Sequence, residues 1–247
     1  MSAALLALRG LSKRFGGLQA IRDLSFDMAP GEVLGLIGPN GAGKTTAFNL
    51  ISGFLVPDEG DVVFDDRSLV GLKPHAVCQV GLARTFQIVR PFPRLSVLDN
   101  VKIGALGRRP AMAAAREHAR AVIARVGLEG KMHAAAGALT LPERKRLELA
   151  RALATEPRLL LLDEVMAGLN PTEIVAILGL IEGINRSGVS ILLIEHNMRA
   201  VMALSHRIVV LNFGEQVAEG PPDAVANHPR VIEAYLGEEY VHTAPPR

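Results

Sequence analysis

An α/β fold with a mainly parallel central sheet follows from three features of this chain of 247 residues. Short, β-rich apolar runs at residues 33–37, 158–162, 190–194 and 208–211 alternate with longer helical patterns, the order of parallel strands joined by crossover helices. These runs are continuously apolar rather than alternating, which marks strands covered on both faces. With 49% of its residues apolar, the chain is long enough for one large core with a satellite lobe and too short for three domains.

The first sixty residues read differently. Runs at 5–9, 24–28 and 61–64 are shorter strands punctuated by Gly16, Gly17, Pro30 and Gly31, so an antiparallel sheet is predicted beside the main one. Residues 1–10 are apolar but meet Arg9 early and lack a basic leader or cleavage pattern, so they read as a first strand, not a signal peptide. The run 33–37 leads into a helix over 47–51. From about 88 to 155 the composition turns helical, with the Ala/Arg-rich stretch 112–125 bounded by Arg109-Pro110 and Gly127; this predicts a small helical subdomain inside a single domain spanning 1–247. Pro221-Pro222 starts a C-terminal helical tail over about 221–247, with a last amphipathic segment at 231–236. No run of some 18 apolar residues exists to span a bilayer as a helix, so any membrane link must go through a partner.

Charge and cysteine content exclude several classes. Twenty-seven basic against 25 acidic residues give no footprint for neutralising nucleic-acid phosphates. A single cysteine, Cys78, cannot close an internal disulfide, and the seven histidines lack ligand spacing, so neither a disulfide framework nor a structural zinc site is expected; a reducing compartment fits best.

The strongest motif is Gly38-Pro39-Asn40-Gly41-Ala42-Gly43-Lys44-Thr45-Thr46, placed between an apolar strand and a helix, which is the context a G-x-x-x-x-G-K-[ST] phosphate loop requires. Its glycines let successive backbone N–H groups face one anion, and the helix N-terminus adds partial positive charge. Lys44 is suited to the outer phosphates of ATP and the Thr45 hydroxyl to Mg2+. Downstream, Leu159-Leu160-Leu161-Leu162-Asp163-Glu164 puts two carboxylates just past a buried strand, at the end where ligands bind in open α/β sheets. Asp163 is suited to hold Mg2+, and Glu164 to polarise the water that attacks the γ-phosphate.

Together with further segments in matching order, these residues resemble the ATP-binding cassette (ABC) family, a P-loop NTPase fold with a RecA-like parallel core. Gln87, in Ala83-Arg84-Thr85-Phe86-Gln87, resembles the family's Q-loop glutamine, which implies contact with Mg2+ and the γ-phosphate and a link to a membrane partner. His196, in Leu193-Ile194-Glu195-His196-Asn197, resembles the switch histidine; Phe15 resembles the aromatic that stacks on adenine. Ala167-Gly168-Leu169-Asn170 resembles the D-loop, with Asn170 in place of the commoner aspartate.

One segment departs from the family's pattern. Where Leu-Ser-Gly-Gly-Gln is usual, this chain has Leu139-Thr140-Leu141-Pro142-Glu143, followed by the matching run 145–153. Thr140 keeps a hydroxyl for the ATP of an opposite subunit, but Pro142 has no N–H to donate and Glu143 would repel phosphate. The spacing Thr140-x-x-Glu143 is that of a capping box, which would turn Glu143 back on its own helix and leave the helix dipole facing outward. Arg144 and Lys145 read as a solvated helix face that also supplies positive charge nearby.

The resemblance is closest to the ATP-binding proteins of bacterial branched-chain amino-acid importers. It rests on Arg84-Thr85-Phe86-Gln87, the segment 95–101, the run 167–173, the stretch 193–198 and the tail through Ala218-Glu219-Gly220 to 231–237. It implies an ATPase on the cytoplasmic face of the inner membrane, paired head to tail as a heterodimer with a second, related cassette, with two transmembrane permease subunits and, indirectly, a periplasmic binding protein, and no nucleic acid. Lipopolysaccharide-export and urea or amide-uptake ATPases have a similar outline. A soluble cassette of the DNA-repair type is disfavoured because only 119 positions separate Lys44 from Asp163, leaving no room for long inserted arms.

Overall fold

The fold is described here from a computed structural model, over residues 4–87 and 91–233. In chain order the strands and helices are β1 (Leu6–Phe15), β2 (Leu18–Met28), β3 (Val33–Ile37), α1 (Lys44–Ile51), β4 (Glu59–Phe64), β5 (Arg67–Ser68), α2 (Pro74–Val80), β6 (Leu82–Arg84), α3 (Val97–Leu106), α4 (Met112–Arg125), α5 (Leu141–Leu153), β7 (Leu159–Asp163), α6 (Pro171–Arg186), β8 (Ser190–Ile194), α7 (Met198–Leu204), β9 (Arg207–Asn212), β10 (Glu215–Gly220) and α8 (Pro222–Ala226). They fall into two units, one made of Met1–Leu72 with Leu192–Arg247 and the other of Lys73–Ile191.

The first unit contains the predicted antiparallel sheet, in the order β2-β1-β4-β5. β1 is its centre, with Leu6 facing Met28 on one side and Phe64 on the other. In β2 the side chains of Leu24, Phe26 and Met28 alternate into the core, the period of a half-buried strand. Both β1 and β2 run several residues beyond the predicted 5–9 and 24–28, because the two meet in a tight hairpin at Gly16-Gly17 that keeps polar residues paired up to Phe15 and Leu18. The same unit holds the strand run β10-β9-β3-β8. β3 pairs in parallel with β9, and every residue of β3 is buried, as its uninterrupted apolar run predicts. β10 was not predicted: it is a polar, half-buried strand antiparallel to β9, whose apolar content is too low to stand out in the sequence. α8 begins with Pro222 at its first turn, as the Pro-Pro pair predicts; residues 234–237 of the final amphipathic segment and the tail beyond lie outside the described residues.

In the second unit β6 and β7 pair in parallel, and β7 is buried throughout. It runs one residue later than predicted, so that Asp163 is its last residue rather than the first beyond it. The helical stretch resolves into α3, α4 and α5, with two short 3-10 turns between the last two. α4 buries Ala115, Ala119, Val122 and Ile123, one stripe at helical spacing. α6 buries Ile177, Ile181 and Ile184 in the same way.

The start of α6 explains Asn170. Its side-chain oxygen accepts from the Glu173 N–H at 3.0 Å, while Glu173 accepts from the Asn170 N–H at 2.9 Å, a reciprocal capping box that satisfies two helix-end donors. Asn170→Ala is expected to lower stability by about 1 kcal/mol, a fall in Tm of roughly 2–4 °C for a chain of this size, readable by calorimetry.

Candidate functional site

In the first unit, the segment between β3 and α1 is moulded by close approach to its surroundings. A Cβ added to Gly38 would lie 2.2 Å from the Leu211 carbonyl oxygen, and one on Gly43, which has φ +103°, would lie 2.5 Å from the carbonyl of Ala20. No other residue fits either place. α1 starts at Lys44, three residues before the predicted helix, so Lys44, Thr45 and Thr46 form its first turn and lend it their N–H groups and the positive end of the helix. Lys44 is buried and donates to the carbonyls of Gly38 and Pro39, at 2.7 and 2.9 Å. The ammonium is therefore folded over the loop, and Thr45, the next residue of the helix, is exposed.

The turn joining β9 and β10 braces this loop. Gly214 donates its N–H to the Ala42 carbonyl at 3.0 Å, and its own carbonyl accepts from Arg22 at 2.8 Å. Phe213 and Gly214 both have positive φ, the backbone of a two-residue primed hairpin. Phe15, at the end of β1, is 46% exposed with Lys13 Nζ 5.9 Å from its ring centre, which leaves ring surface open for stacking. His196 is exposed in the loop after β8, followed by Asn197, which caps α7 by accepting from the Ala200 N–H at 3.1 Å.

In the second unit the carboxylates occupy two different environments. Asp163 is 3% exposed and forms an ion pair with Arg84 at 2.8 Å, both side chains nearly dry. Its backbone N–H donates to the Thr85 hydroxyl at 3.2 Å, and the Thr85 N–H donates to the Leu161 carbonyl at 2.9 Å. Glu164 follows with φ +49°, a left-handed conformation uncommon for such a residue and concentrated at functional sites. That turn lifts its side chain away from the strand, where its carboxylate accepts from Gln87 Nε2 at 2.6 Å. Gln87 and Glu164, 77 positions apart, are thus brought into direct contact.

The altered segment forms the predicted capping box. The Glu143 carboxylate accepts from the Thr140 N–H at 2.8 Å and from the Thr140 hydroxyl at 3.1 Å. The backbone hydrogen bond from Thr140 holds the Glu143 carboxyl below the ordinary carboxylate range. Glu143 is therefore turned back on its helix, as expected, and Thr140 presents its hydroxyl oxygen with the proton already engaged.

Lys145 corrects the sequence reading. Arg144 is exposed, but Lys145 is only 3% exposed and donates to the Glu164 carbonyl at 3.1 Å. One turn on, Glu148 is 5% exposed and accepts from the Phe86 N–H at 2.7 Å. Burial pushes the Glu148 carboxyl above its ordinary range, opposed by the Phe86 hydrogen bond and by Lys145 and Arg151. Arg84 and Glu148 were given no role in the sequence, and Lys145 was placed on a solvated face. For Lys145 and Glu148 the one signal was their i, i+3 spacing, which puts them on one face of α5.

The Arg84–Asp163 pair generates a stability prediction. Arg84→Ala strands a buried carboxylate and is expected to cost about 3–5 kcal/mol in urea unfolding, while adding Asp163→Asn should restore most of that loss. Equal stability of the two variants would mean the pair contributes nothing.

The family model described as "ABC transporter" matches residues 21–167, and one described as "Branched-chain amino acid ATP-binding cassette transporter" matches residues 215–241. The chain is 41% identical to the high-affinity branched-chain amino acid transport ATP-binding protein LivG of Escherichia coli K12, over 96% of this chain and 100% of that protein. It is 39% identical, with the same coverage, to the corresponding protein BraF of Pseudomonas aeruginosa. Among solved structures it resembles the ADP conformation of MJ1267, an ATP-binding cassette of an ABC transporter, with a TM-score of 0.87 and 30% identity over 96% of this chain and 100% of that one. With a family model covering more than half the chain and relatives aligned along nearly all of it, this chain belongs to the ABC transporter family, as one of its ATP-binding cassette ATPases.

Proposed function

We propose that this chain hydrolyses ATP to drive uptake of branched-chain amino acids or similar small polar solutes through partner membrane subunits, paired head to tail with a second cassette. The observation that carries the ATPase reading is the contact of Gln87 with Glu164, which holds a carboxylate in a strained turn directly after a buried aspartate. The cargo rests on the relatives and on the match at residues 215–241, since the residues of a motor subunit that touch nucleotide carry no information about what is transported. Among the described residues no helix is long and apolar enough to cross a membrane; the partners in this reading are permease subunits and, through them, a periplasmic binding protein. The reading places the chain on the inner face of the membrane.

Each residue has a definite task. Gly38, Pro39, Asn40, Gly41, Ala42 and Gly43 shape the loop whose amides, with those of Lys44, Thr45 and Thr46, receive the phosphates of ATP. Lys44 leaves the two loop carbonyls to neutralise the outer phosphates, and Phe15 stacks on the adenine. Glu164 accepts a proton from the attacking water, Gln87 orients that carboxylate, and His196 meets the γ-phosphate. Thr140, at the start of α5, faces the nucleotide of the partner cassette.

The donors fit Mg2+. Within the second unit, Asp163 and Gln87 each carry a side-chain oxygen of the hard type that Mg2+ takes, and in the first unit the Thr45 hydroxyl does the same. Bound there, Mg2+ neutralises phosphate charge.

Glu164→Gln is expected to cut steady-state turnover by ~10²- to 10⁴-fold while ATP still binds; measurable turnover close to wild type would remove Glu164 from the role of base. The proline in α5 leads to a second test. Pro142→Gly restores an N–H at the helix start and should raise turnover of the assembled ATPase, whereas unchanged turnover would show that the altered segment is already fully competent.

A further inference from the structure

α5 touches the segments carrying Gln87 and Glu164 at two points, and none of the roles proposed above uses either contact. Lys145 Nζ donates to the Glu164 carbonyl at 3.1 Å, and Glu148 Oε1 accepts from the Phe86 N–H at 2.7 Å, the residue before Gln87. The two side chains are one turn apart on the same helix face, 3% and 5% exposed. Between their targets runs the 2.6 Å bond from Gln87 to the Glu164 carboxylate. The contacts close a ring: Glu148 to Phe86, Phe86 to Gln87 along the chain, Gln87 to Glu164, and Glu164 back through its carbonyl to Lys145. Arg84 completes the wedge, its guanidinium 5.3 Å from the Phe86 ring centre and ion-paired with Asp163 at 2.8 Å.

We propose that Lys145 and Glu148 are positioning residues, a two-point clamp by which α5 holds Gln87 and Glu164 in register for hydrolysis. The physical argument is the cost of the arrangement. A carboxylate and an ammonium buried on one helix face are expensive, and apolar side chains of similar volume at such positions are often neutral or stabilising. Packing alone therefore gives no reason for either charge. What an apolar residue cannot do is accept from the Phe86 N–H or donate to the Glu164 carbonyl, and each of those bonds fixes backbone next to a reacting side chain. The second carboxylate oxygen, Glu148 Oε2, is buried without a hydrogen-bond partner among the described residues, so one backbone N–H is the bond that its burial serves. Since α5 begins at Thr140, whatever meets that helix start moves a rigid element tied to both catalytic side chains. The inference rests on Glu164 acting as the base.

The test compares Glu148→Gln, Glu148→Met and Lys145→Met in the full chain assembled with its partner cassette. MgATP kcat and KM, ATP Kd by equilibrium binding and Tm are measured for each. Glu148→Gln retains an acceptor and should keep a kcat close to wild type. Glu148→Met, of similar volume but without the acceptor, should lower kcat roughly 10- to 100-fold, the scale of an ångström-level misplacement of a catalytic group, with KM, Kd and Tm little changed. Lys145→Met should act in the same direction. In a Gln87→Ala background, Glu148→Met should add little further loss, because both act through one contact. Wild-type kcat in Glu148→Met, equal losses in Glu148→Gln and Glu148→Met, or full additivity with Gln87→Ala would each overturn the clamp. Glu164→Gln run in parallel separates the two ideas: normal turnover there defeats the assignment of the base, while a stalled Glu164→Gln beside an active Glu148→Met defeats only the clamp.

Discussion

The ion pair between Arg84 and Asp163 is the constraint on which the catalytic segment depends. At 2.8 Å and nearly dry, it joins the end of β6 to the end of β7, and the segment that follows each strand starts from that joint. The run Arg84 to Gln87 leaves β6 with its backbone tied to Leu161 and Glu148, and Glu164 leaves β7 in a left-handed turn. Because both departures are fixed at the same place, Gln87 and Glu164 meet although most of the helical stretch separates them in sequence. Buried pairs of this kind contribute little to net stability when intact, yet losing one partner is severe, so the pair acts more as a register pin than as a source of stability.

A second constraint shapes the first unit. The phosphate loop has little tertiary room, with Gly38 against Leu211 and Gly43 against Ala20, and it is tied to the β9–β10 turn through Gly214. An anion-binding loop needs its amides aimed in advance, since ordering them on binding would consume affinity. Here the shape is set by strands on either side of the loop, and Lys44 rests on the loop's own carbonyls.

The start of α5 shows how a motif can change its letters and keep part of its physics. Glycine N–H groups are lost to Pro142 and a carboxylate is added at Glu143, but that carboxylate is consumed by the N–H and hydroxyl of Thr140. The helix still presents its positive end and a hydroxyl oxygen. Further along the same helix, Lys145 and Glu148 point inward to the segments carrying Gln87 and Glu164.

Local sequence by itself determined the elements whose signal lies within a few residues: the buried strands β3, β7, β8 and β9, the strand–loop–helix context of Lys44, the capping box at Thr140, and the proline start of α8. Each of these follows from period, propensity or short-range hydrogen bonding. Element ends were less legible, as the one-residue shift at Asp163, which pairs with Arg84 79 positions away, and the early start of α1 at Lys44 show. Polar β10 escaped because its stability comes from pairing with β9, not from its own composition. Only the tertiary structure decided that Arg84 pairs with Asp163, that Gln87 meets Glu164, and that Lys145 and Glu148 face inward instead of solvent. These are contacts between residues 19 to 79 positions apart, each with a charged side chain on at least one side, and the cost of burying a charge can be judged only once its partner is in place.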